Sequence, residues 1–286
     1  MRTVTTRAEL EQSLTQLPRP IALVPTMGAL HAGHAALISA ARRTAATVVV
    51  SIFVNPRQFG SANDVARYPR TLEADQHLAE AAGAHLIFAP HVDEIYPPNE
   101  PVANVDPGPL ASRLEGASRP GHFAGVATVV SRLFDLVHPD QAFFGEKDAQ
   151  QVRVIAWLAA QRSDHISIHR VVTVRDTDEM ALSSRNQMLS ASGRATAARA
   201  IPVALSLIAE AHASGIVSIA MLRALAARVI AAEPNLALDY LDFADSATLA
   251  PLADTGRVGD AGSGEALVSI AAIVEGVRLI DAITLP

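Results

Sequence analysis

Short apolar runs alternate with segments of helical spacing over the first 174 residues. Ile21–Val24 and the β-branched run Thr47–Val54 read as buried strands, as do Ala84–Ala89, Ala142–Phe144 and Ile166–Val174. Between them, Leu10, Leu14 and Leu17 recur at helical spacing behind the capping box Thr6-Arg-Ala-Glu9, and Pro18 stops that helix. A second helix runs from near His34 to about Arg43, and a third from Thr71 to Gly83. A strongly amphipathic fourth presents Val126, Val129, Val130, Leu133, Phe134 and Val137 on one face, and a fifth spans about 149–161. Residues 97–109 hold five prolines and read as a loop.

Strand–helix alternation of this kind predicts an α/β fold with a Rossmann-like doubly wound parallel sheet over residues 1–174. The pattern then changes. Two Ala-rich helices (about 191–213 and 218–232) precede strands near Leu236–Asp242, Ala266–Val274 and Val277–Thr284, with Gly276 as a hairpin turn. Residues 175–286 are therefore expected to form a smaller C-terminal α+β domain.

Composition narrows the function classes. The 286 residues are half apolar and carry a net charge of −6, which argues against a nucleic-acid partner. No apolar run is long enough to span a membrane, and no signal-like segment follows Met1. The absence of cysteine excludes disulfides and fits a cytoplasmic protein. Of the 23 basic residues only Lys147 is lysine. In a chain that otherwise uses arginine, a lone lysine in a glycine turn after an apolar strand points to a site needing a compact ammonium rather than a planar guanidinium.

The chemistry collects in loops that leave strands. After Ile21–Val24 comes Pro25-Thr-Met-Gly-Ala-Leu-His-Ala-Gly-His34, where His31 and His34 share a face if the turn is helical and Gly33 admits a bulky ligand. Gly28 and Gly33 have P-loop spacing, but His34-Ala35 stands where Lys-Ser/Thr belongs. A zinc pair is disfavoured by the three-residue spacing and the lack of cysteine. A helix start suits a phosphate best. Asn55 and Gln58 lie in the next loop, Lys147 and Asp148 in a third, and Ser183, Ser184 and Arg185 where the two expected domains join. Together these loops offer donors for charge building up on a triphosphate in one crevice.

The five motifs Pro25–His34, Phe53-Val-Asn-Pro-Arg-Gln-Phe59, Arg119-Pro-Gly-His-Phe123, Phe144-Gly-Glu-Lys-Asp148 and Leu182-Ser-Ser-Arg-Asn186 resemble, in order and along the whole chain, the pantoate–β-alanine ligase family. The His-x-Gly-His element alone would indicate only the wider nucleotidyltransferase-like superfamily. The resemblance implies that pantoate attacks the α-phosphate of ATP, supplied with Mg2+, to give pantoyl adenylate and pyrophosphate. β-Alanine then displaces AMP, and no organic cofactor takes part. It further implies that Met27, Gly28, His31, Gly33, His34, Gly145, Glu146, Lys147, Asp148, Val174, Leu182, Ser183, Ser184 and Arg185 hold ATP. His31, His34, Lys147, Ser183 and Arg185 would carry the catalysis, with His34 the residue usually given an acid role. Gln58, Gln151, Met27, Asn55 and His122 would bind pantoate, Asp75 matches a position linked with magnesium, and the family implies a homodimer. Whether the imidazoles are charged stays open, because a helix N-terminus disfavours the imidazolium while phosphate favours it.

Four residues depart from the family pattern: Arg57 replaces a frequent Met, Glu179-Met180 a usual Gly-Leu, and Ala74 an acid that can occur there. With its acidic neighbour lost, Asp75 is expected on a solvated helix face. Two alternatives stay open: a related nucleotidyltransferase acting on a phosphate ester, and an ATP-binding module without turnover. The neutral donors Gln58 and Gln151 argue against the first, and the intact His, Lys and Ser-Arg positions against the second.

Overall fold

The computed structural model describes residues 1–286, and the chain divides into two compact units, residues 1–146 with 150–172, and residues 147–149 with 173–286. The first contains a six-stranded, wholly parallel sheet. In chain order its elements begin with β1 (Arg2–Val4), α1 (Arg7–Leu14), β2 (Ile21–Thr26), α2 (Ala32–Thr44) and β3 (Thr47–Ile52). There follow α3 (Ala62–Arg67), α4 (Leu72–Ala82), β4 (Leu86–Phe88), and the single-turn helices α5 (Val92–Ile95) and α6 (Glu115–Ser118). Helix α7 (His122–Val137), β5 (Gln141–Gly145), α8 (Ala149–Ala160) and β6 (Ser167–Val171) complete the series.

The strand order is β1-β4-β3-β2-β5-β6. β2, β3 and β4 step outward on one side, with β1 added at the edge beyond β4, and β5 and β6 step outward on the other, so the order reverses between β2 and β5. Their carboxyl ends are where a doubly wound sheet opens its ligand crevice. Ile21, Leu23 and Val49 pack on one side of the sheet against α7, including Val126, Val130 and Phe134. Ala22, Val24, Val48 and Val50 pack on the other against Leu37, Ile38 and Ala41 of α2. Burial on both faces explains why these strands are continuous apolar runs rather than alternating ones.

The second unit carries α9 (Ala191–Ala213), α10 (Ile219–Ala231) and an antiparallel sheet of β7 (Leu236–Asp245), β8 (Ala266–Val274) and β9 (Val277–Leu285). Its core joins Ala197, Ile201, Leu205 and Ile208 of α9 to Phe243, Val268, Ile270 and Leu279 of the sheet. Glu275 and Gly276 both have positive φ (53° and 74°), as the two central residues of a tight β8–β9 hairpin require.

Several boundaries differ from the sequence expectation. The first helix ends at Leu14, with Thr15 as its cap, rather than running to Pro18, and the second starts at Ala32. β1 was not expected: three residues carry no periodicity, and the strand exists only because Arg2–Val4 pairs with Leu86–Phe88. No helix of the chain is long and apolar enough to cross a membrane.

Candidate active site

The turn after β2 is built by backbone polarity. Gly28 and Ala29 have φ of 84° and 50°, which aims the next amides the same way. Asp75, on the first turn of α4, receives both: Ala29 N–H donates to Oδ2 (3.0 Å) and Leu30 N–H to Oδ1 (2.8 Å), while the Thr71 hydroxyl adds a third bond (3.1 Å). Asp75 is buried at 2% exposure. The solvated-face expectation is thus corrected: α4 packs this carboxylate under the loop, where it clamps two amides that would otherwise be orphaned. No group of three His, Cys, Asp or Glu side chains is arranged to hold a metal ion.

This clamp delivers His31 as the N-cap of α2. Its Nδ1 accepts from Gly33 N–H (3.2 Å), and His34 Nδ1 accepts from His31 N–H (3.2 Å), giving a reciprocal capping box made of two imidazoles. An Nδ1 that accepts carries no proton, so each neutral ring is a donor at Nε2. The ring centroids lie 4.1 Å apart, which disfavours two imidazolium charges side by side. Gly145 and Glu146 follow at the end of β5, where Glu146 lies 3.9 Å from Arg170. Gln151 sits half-buried near the start of α8.

The loop after β3 is fixed from several directions. Asn55 is 1% exposed, and its amide is fully used. Oδ1 accepts from Arg57 N–H (3.2 Å) and from the Tyr96 hydroxyl (2.8 Å), while Nδ2 donates to Gln58 Oε1 (2.9 Å) and to Gly125 O (3.1 Å). His122 holds the Gln58 carbonyl through Nδ1 (2.9 Å), and its Nε2 faces Arg119 at 3.2 Å. Asn55 and His122 therefore spend these polar atoms on the loop and on the elements packed against it, Tyr96, Gly125 and Arg119. Gln58 is the member of the set whose Nε2 reaches toward Met27, at 3.2 Å from Sδ. Gly125 makes the arrangement possible, because a Cβ there would lie 2.3 Å from Arg57 O. Arg57 lays its guanidinium 4.0 Å over the Tyr96 ring and donates to Val102 O (2.9 Å), so its charge pins the proline-rich loop. Tyr96 and Gly125 carry no motif that sequence reading could use.

In the second unit, Lys147, Ser183, Arg185, Asn186, Arg278 and Asp281 line a narrow open cleft together with Met180, Ala181 and Ile201. Lys147 Nζ lies 3.3 Å from Asp148. Ser183 caps a short 3-10 turn by accepting from Arg185 N–H (3.3 Å), and Ser184 is buried beneath it. Leu182 N–H donates to Val174 O (3.0 Å), which closes the turn between them. That turn is staked twice: Arg175 pairs with the buried Asp281 (2.7 Å) and donates to Glu179 O (2.9 Å), while Arg194 binds Asp176 and Asp178 (both 2.7 Å). Glu179, the departure from glycine, has a φ of 61°. Arg278 and Asp281 come from β9, too far along the chain for spacing to have joined them to Lys147.

A parallel sheet with a His-x-Gly-His helix start at its switch point defines a Rossmann-like α/β protein with an anion-binding helix start. The pantoate-beta-alanine ligase family matches residues 2–284. The chain belongs to this family. It is 47% identical over 289 residues to the pantothenate synthetase of Corynebacterium glutamicum (strain R), covering all of both chains. Among solved structures it superposes on the pantothenate synthetase of Thermus thermophilus with a TM-score of 0.89 at 43% identity, covering 99% of each chain. The pantoate-beta-alanine ligase of Francisella tularensis, solved with beta-gamma ATP and beta-alanine, gives 0.79 at 30% identity over 99% of this chain and 97% of that one.

Proposed function

We propose that the chain condenses pantoate with β-alanine at the expense of ATP, through pantoyl adenylate, releasing pyrophosphate and then AMP. A carboxylate is ionised at neutral pH, so the first step needs alignment and charge stabilisation rather than a strong base. His31 and His34 donate from Nε2 to phosphate oxygens. Lys147 and Arg185 neutralise charge on the departing pyrophosphate, one as a compact ammonium and one as a fork. Met27, Gly28, Gly33, Gly145, Glu146, Asp148, Val174, Leu182, Ser183 and Ser184 shape the rest of the nucleotide subsite. Gln58 and Gln151 bind pantoate oxygens, and Asn55 and His122 hold the loop that carries Gln58. Mg2+ enters with ATP as part of the substrate. A cytoplasmic homodimer completes the reading, and a solution mass equal to one chain would refute the dimer.

The observation that supports this reading most is the histidine capping box at the sheet's switch point, which turns two imidazoles into committed Nε2 donors at a helix N-terminus. A pyrophosphate-release assay tests it. Signal that needs both pantoate and ATP is expected, whereas signal only with a phosphate ester as acceptor would replace the ligase by a related transferase.

A further inference from the structure

The polarity of Gln58 can be worked out from groups that have no choice. A backbone N–H only donates and a carbonyl only accepts. Arg57 N–H therefore fixes Oδ1 on one side of the Asn55 amide, and Gly125 O fixes Nδ2 on the other. The Tyr96 hydroxyl donates to that same Oδ1. Burial, working against the nearby Arg57 charge, pushes the phenol up to about 12, so the proton is present throughout the working range. With Asn55 so oriented, Nδ2 meets Gln58 at Oε1, which leaves Nε2 as the donor end: one N–H goes to Met27 Sδ (3.2 Å) and the amide has a second to offer. The Gln58 main chain cannot swing to undo this, since His122 and Arg119 both hold its carbonyl (2.9 and 3.4 Å).

We infer that Tyr96 is a positioning residue: by donating to the Asn55 oxygen it reinforces the orientation that Arg57 N–H and Gly125 O impose, and so holds Gln58 with an N–H donor for an oxygen of the hydroxy acid. The inference rests on the ligase reading and adds to it a residue that keeps the pantoate-facing amide in one orientation. Pantoate offers only oxygens at its polar end.

The test compares the wild type with Tyr96→Phe and Gln58→Glu by initial rates of pyrophosphate release, varying pantoate and ATP separately. Tyr96→Phe removes one neutral hydrogen bond from the chain of three side chains, so KM for pantoate should rise by about 3–10-fold while KM for ATP holds. Gln58→Glu puts an acceptor of the same shape where the donor was, on a half-buried residue that leaves the tyrosine untouched. Its KM for pantoate should rise by about 10²-fold or more. An unchanged pantoate KM in either variant, or a parallel rise in both KM values for Tyr96→Phe, overturns the inference. If the wild type itself releases no pantoate-dependent pyrophosphate, the ligase reading has failed first, and the two failures are told apart.

Discussion

Asp75→Asn separates two roles for the carboxylate under the histidine loop. In the structure both oxygens serve backbone amides, Ala29 at 3.0 Å and Leu30 at 2.8 Å, with the Thr71 hydroxyl as a third donor at 3.1 Å. Asparagine keeps one oxygen. Whichever way the amide turns, an NH2 then faces a backbone N–H, so one bond becomes donor against donor and the other loses its charge. Bonds to a charged partner contribute about 1.5–3 kcal/mol each, and an unmade buried donor costs about 1–3, so a loss of roughly 2–4 kcal/mol of stability follows after relaxation. The same loop sets His31 on α2, and a displacement of about 1 Å at a catalytic group can cost about 10²-fold in rate. Urea unfolding followed by circular dichroism reads the first quantity, and pyrophosphate release across a wide range of Mg2+ concentrations reads the second. Both losses should be independent of the metal. Wild-type stability together with activity restored by raising Mg2+ would show that Asp75 is a metal ligand and that its hydrogen bonds to the loop are incidental.

Other expectations follow from the same geometry. Lys147→Ala should slow adenylation by about 10²–10³, the loss typical of one charge-stabilising donor, and Lys147→Arg should also be poor; a fully active arginine variant would make the lone lysine a matter of composition. Glu179→Gly removes a side chain from a left-handed position and should raise the unfolding free energy by about 0.5–1 kcal/mol in denaturant titration, with no gain if Arg175 and Asp176 already hold the turn without strain. Gly125→Ala should raise KM for pantoate and lower stability together, because its methyl would collide with Arg57 O; a neutral result would mean that α7 can retreat. Burial pushes Asp245 up, but bonds from Thr248 and Ser263 outweigh it and hold the carboxyl well below the usual range. Its contribution is present above the unfolded carboxyl's pKa and is lost as pH falls through the folded one, so stability measured from about pH 5 downward should decline less steeply in Asp245→Asn than in the wild type.

Where burial was two-sided, local pattern sufficed: β2, β3 and the hairpin of β8 and β9 were readable because apolar runs and a Gly276 turn report directly on their surroundings. The site was readable only in part. His31, His34, Lys147 and the Ser183–Arg185 turn stand in short motifs next to strand ends, whereas Tyr96, Gly125 and Arg278 act across 41, 68 and 131 residues from Asn55, Arg57 and Lys147, respectively. Asp75 shows the physical reason for the difference. Its chain neighbours Ala74 and Gln76 and the polar Glu73, His77 and Glu80 suggest a solvated helix, and although Asp75 shares a face with Leu78 and the buried Ala79, nothing local reveals that two amides 45 and 46 residues away need its oxygens. In the same way β1 has no signature of its own and is made by its partner strand.

Acyl-adenylate chemistry is tested most directly by withholding β-alanine. Mass spectrometry of a rapid quench containing the protein, pantoate, ATP and Mg2+ should reveal pantoyl adenylate, with pyrophosphate formed in step, and the species should vanish as AMP and pantothenate appear once β-alanine is added. Formation of ADP and phosphate, or of AMP only when all three substrates are present with no adenylate at any time, would contradict the account.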